Sequence, residues 1–355
     1  MIRRRSLYNL GSGLGAQLSL VLMLFAVGCL ESAIDPSKTV QFDVSGMGLE
    51  GVGAPVYATV ARTTDSFQGG ASAIDVYVPT GVTSPTPLLV LLQGARVHKS
   101  YYTQFCTRLA AHGFVVAAAN HDSLLGYFTS TGSVQEVLDA LAVKSVTQGD
   151  PLYGIPDLDR IGLVGHSFGG ATALTYVQGD CNFPFCAAPF EASAAIRAVA
   201  TYASHLVTPD DQIIAVDSKG IAIQIMLGER DGVAREQDIE RTYDAIHDGD
   251  KQLIRLTGAN HFAVNDLDNP PGTITDANAQ LVDREVTIAV AADWVGVFMR
   301  AYVQRENDAI AYLHASGTRE NEQYSARYEP FQLEPTPQAD KPSFDDSHWA
   351  SNRTR

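Results

Sequence analysis

The chain has 355 residues, 45% of them hydrophobic and 18% charged, which is enough for one large globular domain or two ordinary ones with ample core. Its formal charge of −15 repels nucleic acid and anionic lipid surfaces, and excludes both as expected partners. Four cysteines are present, and no cysteine–histidine spacing resembles a zinc site; the chemistry read below implies no metal or organic cofactor.

Residues 1–29 read as an export signal. Arg3, Arg4 and Arg5 form a basic start, and Leu18 to Val27 is a nearly continuous apolar run. The run is short for a membrane span, and it ends in Ala26-Val27-Gly28-Cys29. Small residues just before a cysteine resemble a bacterial lipobox, in which the cysteine is lipidated and becomes the new N-terminus. Ala26 stands where that pattern prefers leucine. The expected product is a membrane-anchored lipoprotein in the periplasm or on the cell surface; the alternatives are simple secretion after nearby cleavage and an uncleaved anchor. Export implies an oxidising compartment, where Cys181 and Cys186, which share one Phe/Pro-containing loop, either bridge or remain as two buried thiols. Cys106 lies in a helical pattern and reads as core.

Residues 30–54 are a loose, Gly-rich lead-in. Val56 to Ala61 and Ala73 to Val78 alternate in strand fashion, separated by turn chemistry, and predict an antiparallel pair. Leu88 to Leu92 is fully apolar, as expected of a strand buried on both faces, and ends in Gln93-Gly94-Ala95. Tyr102, Phe105, Leu109 and Ala110 carry a helical period closed by His112-Gly113, and Phe114 to Ala119 is the next buried strand. A helix is predicted over Val134 to Val146. Further strands are predicted in the later part of Ala194 to Tyr202, at Ile221 to Leu227 and at Gln252 to Leu256. Helices are predicted over Ile239 to Ile246 and Glu285 to Val303. Strands alternating with helices imply an α/β fold with a mostly parallel, doubly wound sheet and an antiparallel N-terminal edge. The predicted catalytic domain spans residues 55–318; residues 319–355, polar and Pro-containing, read as an extended strap or a disordered tail.

The chemistry centres on Ile161-Gly-Leu-Val-Gly165-His-Ser167-Phe-Gly169-Gly-Ala-Thr172, where an apolar strand meets a small-residue helix. Gly165-x-Ser167-x-Gly169 is the pattern of a nucleophile elbow, a turn so tight that only glycine fits at its flanks. A serine hydroxyl is a weak nucleophile at neutral pH and needs an imidazole base, which in turn needs a carboxylate to fix its tautomer. In a doubly wound sheet such groups collect beyond the C-terminal ends of the strands. His261 follows the strand Gln252 to Leu256, and Asp231 follows Ile221 to Leu227, giving the chain order Ser, Asp, His. Glu229 and Asp217 are the competing acids, and His121 is a competing base that precedes the serine. His166 reads as elbow packing, and Asp266 and Asp268 as surface loop. The backbone N–H groups of Phe168 and of Ala95, or its neighbour Gly94, are the expected oxyanion donors.

At these residues the chain resembles the α/β-hydrolases of the broad group that holds dienelactone hydrolases, platelet-activating-factor acetylhydrolases, chlorophyllases and bacterial polyester hydrolases. The resemblance rests on Gln93-Gly94-Ala95, Leu109 to Ala118, Gly165 to Thr172, Gly228 to Gly232 and Gly258 to Phe262. The group usually carries His-Gly or Pro-Gly where this chain has Gln93-Gly94. The resemblance implies a serine esterase, with Ser167 as nucleophile, Asp231 as acid, His261 as base, and Ala95 and Phe168 as oxyanion donors. The ester is left open among short-chain, phospholipid acetyl and polyester types, as is amide or lactone hydrolysis. Phe128, Phe183, Phe185 and Phe190 lie in loops suited to wall an acyl pocket. The alternative is a lipoprotein that keeps the fold for binding and has lost turnover.

Overall fold

Two apolar runs, Leu88–Leu92 and Val115–Ala119, become neighbouring strands with no exposed side chain on either face. Burying each large aliphatic side chain in them is worth about 1.5–3 kcal/mol, and this pair forms the middle of the sheet. The computed structural model describes residues 39–41, 48–67, 72–123, 126–315 and 318–331, all within one unit, Ser32–Arg355. The export signal, Cys29 and residues 332–355 lie outside the described residues.

Eleven strands form one mixed sheet: β1 (Thr39–Gln41), β2 (Thr59–Phe67), β3 (Ser72–Pro79), β4 (Thr86–Leu92), β5 (Val115–Ala119), β6 (Pro156–His166), β7 (Ile196–Tyr202), β8 (Ala222–Gly228), β9 (Lys251–Leu256), β10 (Thr318–Glu320) and β11 (Tyr324–Glu329). Their spatial order is β1-β2-β3-β5-β4-β6-β7-β8-β9-β11-β10. The central strands from β5 to β9 are parallel. The first three pair antiparallel at one edge, and β11 and β10 at the other. The helices are α1 (Thr103–Ala111), α2 (Thr131–Val146), α3 (Phe168–Gln178), α4 (Glu236–Asp244), α5 (Arg284–Tyr302) and α6 (Asn307–Ala315). Two separate apolar clusters show that α1, α5 and α6 cover one face of the sheet, while α2, α3 and α4 cover the other. This is the α/β-hydrolase architecture. The chain leaves β4 toward β5 on one side and returns as β6 on the other, so the C-terminal ends of β4 and β6 form a switch point where groups from several loops can meet.

The predicted antiparallel edge, the helix ending at His112 and the long helix before Val303 are all present. The boundary at residue 318 needs correction. Residues 318–320 and 324–329 extend the sheet, because Tyr324, Ala326 and Tyr328 alternate inward against β9. The lead-in likewise contributes β1, and its Leu49 amide donates to the buried carboxylate of Asp293 on α5 at 2.8 Å. That carboxylate also takes two hydrogen bonds from Arg108 and one from His112, tying the lead-in to α1 and α5. Among the described residues no helix is long and apolar enough to cross a membrane.

Candidate active site

Ser167 stands between β6 and α3 with φ +51° and ψ −121°, a backbone conformation that costs a non-glycine residue on the order of 1–3 kcal/mol and is found at functional turns. The flanking glycines explain how the turn closes. A Cβ on Gly165 would strike the backbone of Gly169 and Gly170, and one on Gly169 would strike the carbonyls of Leu92 and Gln93. The Ser167 amide donates to Tyr202 O at 2.8 Å, and Ser204 Oγ donates to Ser167 O at 2.8 Å, so the end of β7 and the turn after it hold the strained residue by both its amide and its carbonyl.

His261 approaches from the turn after β9. Its Nε2 lies 2.9 Å from Ser167 Oγ, and its Nδ1 lies 2.8 and 3.0 Å from the two oxygens of Asp231, which follows β8. A carboxylate only accepts, so Nδ1 carries the proton and Nε2 is left to accept from the serine. The Asp231 side chain is fully buried, and its Oδ1 also accepts from the Val233 and Ala234 amides at 2.8 Å each. The competing acids are placed elsewhere. Glu229 accepts from the Gly258 amide at 3.2 Å, and Asp217 accepts from the Lys219 amide in a turn ahead of β8. His121 is buried and contacts Glu136 at 3.3 Å.

Ala95 is the donor expected from sequence, with Gly94 as its alternative. The Gly94 amide donates to the Tyr102 hydroxyl at 2.8 Å, whereas among the described residues neither the Ala95 nor the Phe168 amide has a protein acceptor. Phe168 is also the first residue of α3, where an amide has no partner within the helix. His166 does more than pack. Its Nε2 donates to the His261 carbonyl at 2.8 Å, and its Nδ1 accepts from the Tyr102 hydroxyl at 2.9 Å. Burial pushes its pKa well below the usual value for histidine, with the neighbouring His261 adding to the effect.

Asp266 and Asp268 lie in the loop after His261, as expected, and there they serve as anchors. Asp266 accepts from the Thr103 and Gln104 amides at the start of α1, and Asp268 accepts from Asn260 Nδ2 at 2.9 Å. Of the loop aromatics, Phe128 and Phe185 pack on Phe168, with ring centroids 5.4 and 4.8 Å away. Phe183 is 89% exposed, and Phe190, half-buried, stacks on Tyr176. Cys181 and Cys186 are joined in a disulfide, and Cys106 is a buried free thiol. The cleft at Ser167 is small, about 40 Å³, and is lined by Ala95, Val97, His261, Val233 and Ile274 among others. Among the described residues no group of acidic, cysteine or histidine side chains is arranged to hold a metal ion.

Ser204 and Asp276, which contacts the His261 backbone, carry no local pattern, and Tyr102 reads from sequence only as part of a helical period; each meets its partner across the fold.

Among curated proteins the chain is similar to chlorophyllase-2 of Arabidopsis thaliana, at 34% identity over 90 residues, which is 25% of this chain and 28% of that protein. Residues 48–275, from the lead-in into the loop that carries His261, match the family described as PETase: PET hydrolase-like. The nucleophile-elbow turn, the strand order and this match agree, and the chain belongs to the PET hydrolase-like family.

Proposed function

We propose that the protein is a serine hydrolase that cleaves carboxylic esters through an acyl-enzyme on Ser167. The observation that carries this is the hydrogen-bonded series Ser167–His261–Asp231 at the C-terminal ends of β6, β9 and β8, on a strained elbow. Family membership supports ester hydrolysis as the reaction class. His261 Nε2 takes the serine proton as Oγ bonds to the ester carbonyl carbon, and Asp231 stabilises the imidazolium that forms. The carbonyl oxygen becomes an oxyanion held by the Ala95 and Phe168 amides; losing one such donor costs about 3 kcal/mol of transition-state stabilisation. Collapse expels the alcohol, which takes the proton from His261. The imidazole then deprotonates a water that attacks the acyl carbon, and a second collapse frees the acid and Ser167.

The size of the cleft limits the substrate. Some 40 Å³ accommodates a small group at Ser167, so the rest of a larger ester runs along the open rim. This favours short acyl groups, or esters displayed on an exposed chain such as a polyester, over long acyl chains buried whole. The protein works outside the cytoplasm in this reading, tethered by lipid at Cys29. The basic start, the apolar run and the Cys181–Cys186 bridge support that location.

The deciding experiment is labelling by a fluorophosphonate probe, together with turnover of p-nitrophenyl esters of rising acyl length. The wild type labels and turns over, and Ser167→Ala does neither. Equal labelling of the two overturns the assignment. Labelling of Ser167 without turnover of any ester would favour the binding-only alternative.

A further inference from the structure

Residues 257–283 connect β9 to α5 without a helix or strand. Connections this long in a compact domain are seldom idle. This one begins with the turn that carries His261 and then returns to the cleft, where Thr273 and Ile274 form part of the wall. Ile274 is 73% exposed and makes no core contact that would hold it there. The hold comes two residues later, from Asp276.

Asp276 is buried. Its Oδ2 accepts from the His261 backbone amide at 2.9 Å and from the Gly232 amide at 3.2 Å, while Oδ1 accepts from the Asn278 amide at 2.8 Å. The Asp276 amide donates to Asn269 Oδ1 at 2.6 Å, and its carbonyl accepts from Asn269 Nδ2 at 3.2 Å, which closes the loop on itself. Gly232 directly follows Asp231. A Cβ at Gly232 would run into the Asp276 carboxylate and the Asn278 side chain, so this glycine leaves room for the carboxylate to reach the main chain. One side chain therefore grips the backbone of His261, the backbone next to Asp231, and the loop that walls the cleft.

We propose that Asp276 is a positioning residue: acting through the main chain of Gly232 and His261, it keeps the Asp231 carboxylate in register with the imidazole, and it ties that register to the wall carrying Ile274. This rests on the reading of Ser167, Asp231 and His261 as the reacting triad. The geometry it maintains is narrow. Displacing a catalytic group by about 1 Å costs about 10²-fold in rate, and among the described residues no other side chain from outside the two turns bonds to the backbone of both.

The test compares Asp276→Ala with Asp276→Asn in kcat for p-nitrophenyl acetate. Alanine removes the acceptor from all three amides, whereas asparagine, with its oxygen where Oδ2 stands, still accepts from the His261 and Gly232 amides and gives up only the Asn278 bond. The expected result is a kcat lowered by about 10²-fold in Asp276→Ala and restored to within about tenfold of wild type in Asp276→Asn. A folded Asp276→Ala with unchanged kcat overturns the proposal. So does an Asp276→Asn as slow as the alanine variant, since the bonds to the two turns are then not what matters. If Asp276→Ala does not fold, Asn269→Ala decides: it loosens residue 276 without touching either triad turn, and should lower kcat by about tenfold; an unchanged kcat overturns the proposal. Failure of the triad reading itself would appear separately, as a wild type with no Ser167-dependent fluorophosphonate labelling.

Discussion

Replacing Asp231 by asparagine changes one atom and should reverse the proton direction at the nucleophile. In the native site Oδ1 accepts from the Val233 and Ala234 amides at 2.8 Å each, and Oδ2 accepts from His261 Nδ1 at 2.8 Å. An asparagine must keep its oxygen toward the two amides, because an NH2 group there would oppose two donors. Its nitrogen then faces Nδ1, and His261 escapes the donor–donor clash only by moving its proton to Nε2. That nitrogen, 2.9 Å from Ser167 Oγ, becomes a donor to the hydroxyl and no longer accepts its proton. The same tautomer reversal in an archetypal serine protease triad lowers kcat by about 10⁴-fold, which is about 5 kcal/mol of barrier. Glu229 offers no rescue, since its carboxylate is engaged with the Gly258 amide. The assay is kcat/KM for p-nitrophenyl acetate, with circular dichroism to establish that the variant is folded. A folded Asp231→Asn enzyme within about tenfold of wild type would refute this account of the acid.

Two further predictions concern stability. The Cys181–Cys186 bridge closes a short loop, so the double serine variant should lose about 2 kcal/mol by the chain-entropy relation, seen as a Tm lower by about 4 °C; identical melting with and without reductant would mean that the bridge does not contribute in solution. Burial holds both His166 and His112 below the ordinary histidine pKa of 6.5, so below that pH the unfolded chain binds more protons than the folded one. Stability from this source is full above about pH 6.5 and is lost as pH falls toward the depressed folded values, at up to about 1.4 kcal/mol per unit per histidine. Urea unfolding at pH 7.5, 6.5 and 5.5 measures the slope, and a flat response would show that neither imidazole is held neutral.

The elements legible in the sequence were those whose cause is local. Leu88–Leu92 announces a buried strand by its composition, and Gly165-x-Ser167-x-Gly169 announces a turn because the backbones on either side leave no room for a Cβ. Asp231 and His261 were readable one step removed, because each follows a strand whose C-terminal end must face the same rim. What escaped was made by distance. Tyr102 meets His166 across 64 residues of sequence, and Asp266 reaches back across 163 to start α1. β11 escaped for another reason: the alternation of Tyr324, Ala326 and Tyr328 is plain, but it lies in a polar, Pro-containing stretch whose average composition pointed to a tail.

His166 shows how an adjacent residue can be misread even when its position is known. The His261 carbonyl can only accept, so His166 Nε2 must carry a proton. The Tyr102 hydroxyl already accepts from the Gly94 amide, so its own proton is free to go to His166 Nδ1, which must then be bare. Each donor has one acceptor, and the series runs from the Gly94 turn through Tyr102 and His166 to the main chain of His261. A second proton on His166 would break the bond to Tyr102 and set a positive charge 5.1 Å, ring to ring, from the His261 imidazole, which the proposed reaction requires to become positive. Burial prevents this. In the proposed mechanism the two histidines therefore divide the work: His166 is held neutral by burial and its partners, while His261, paired with Asp231, takes the proton. The same bonds fix the spacing between the turn of Gly94 and Ala95 and the turn of His261.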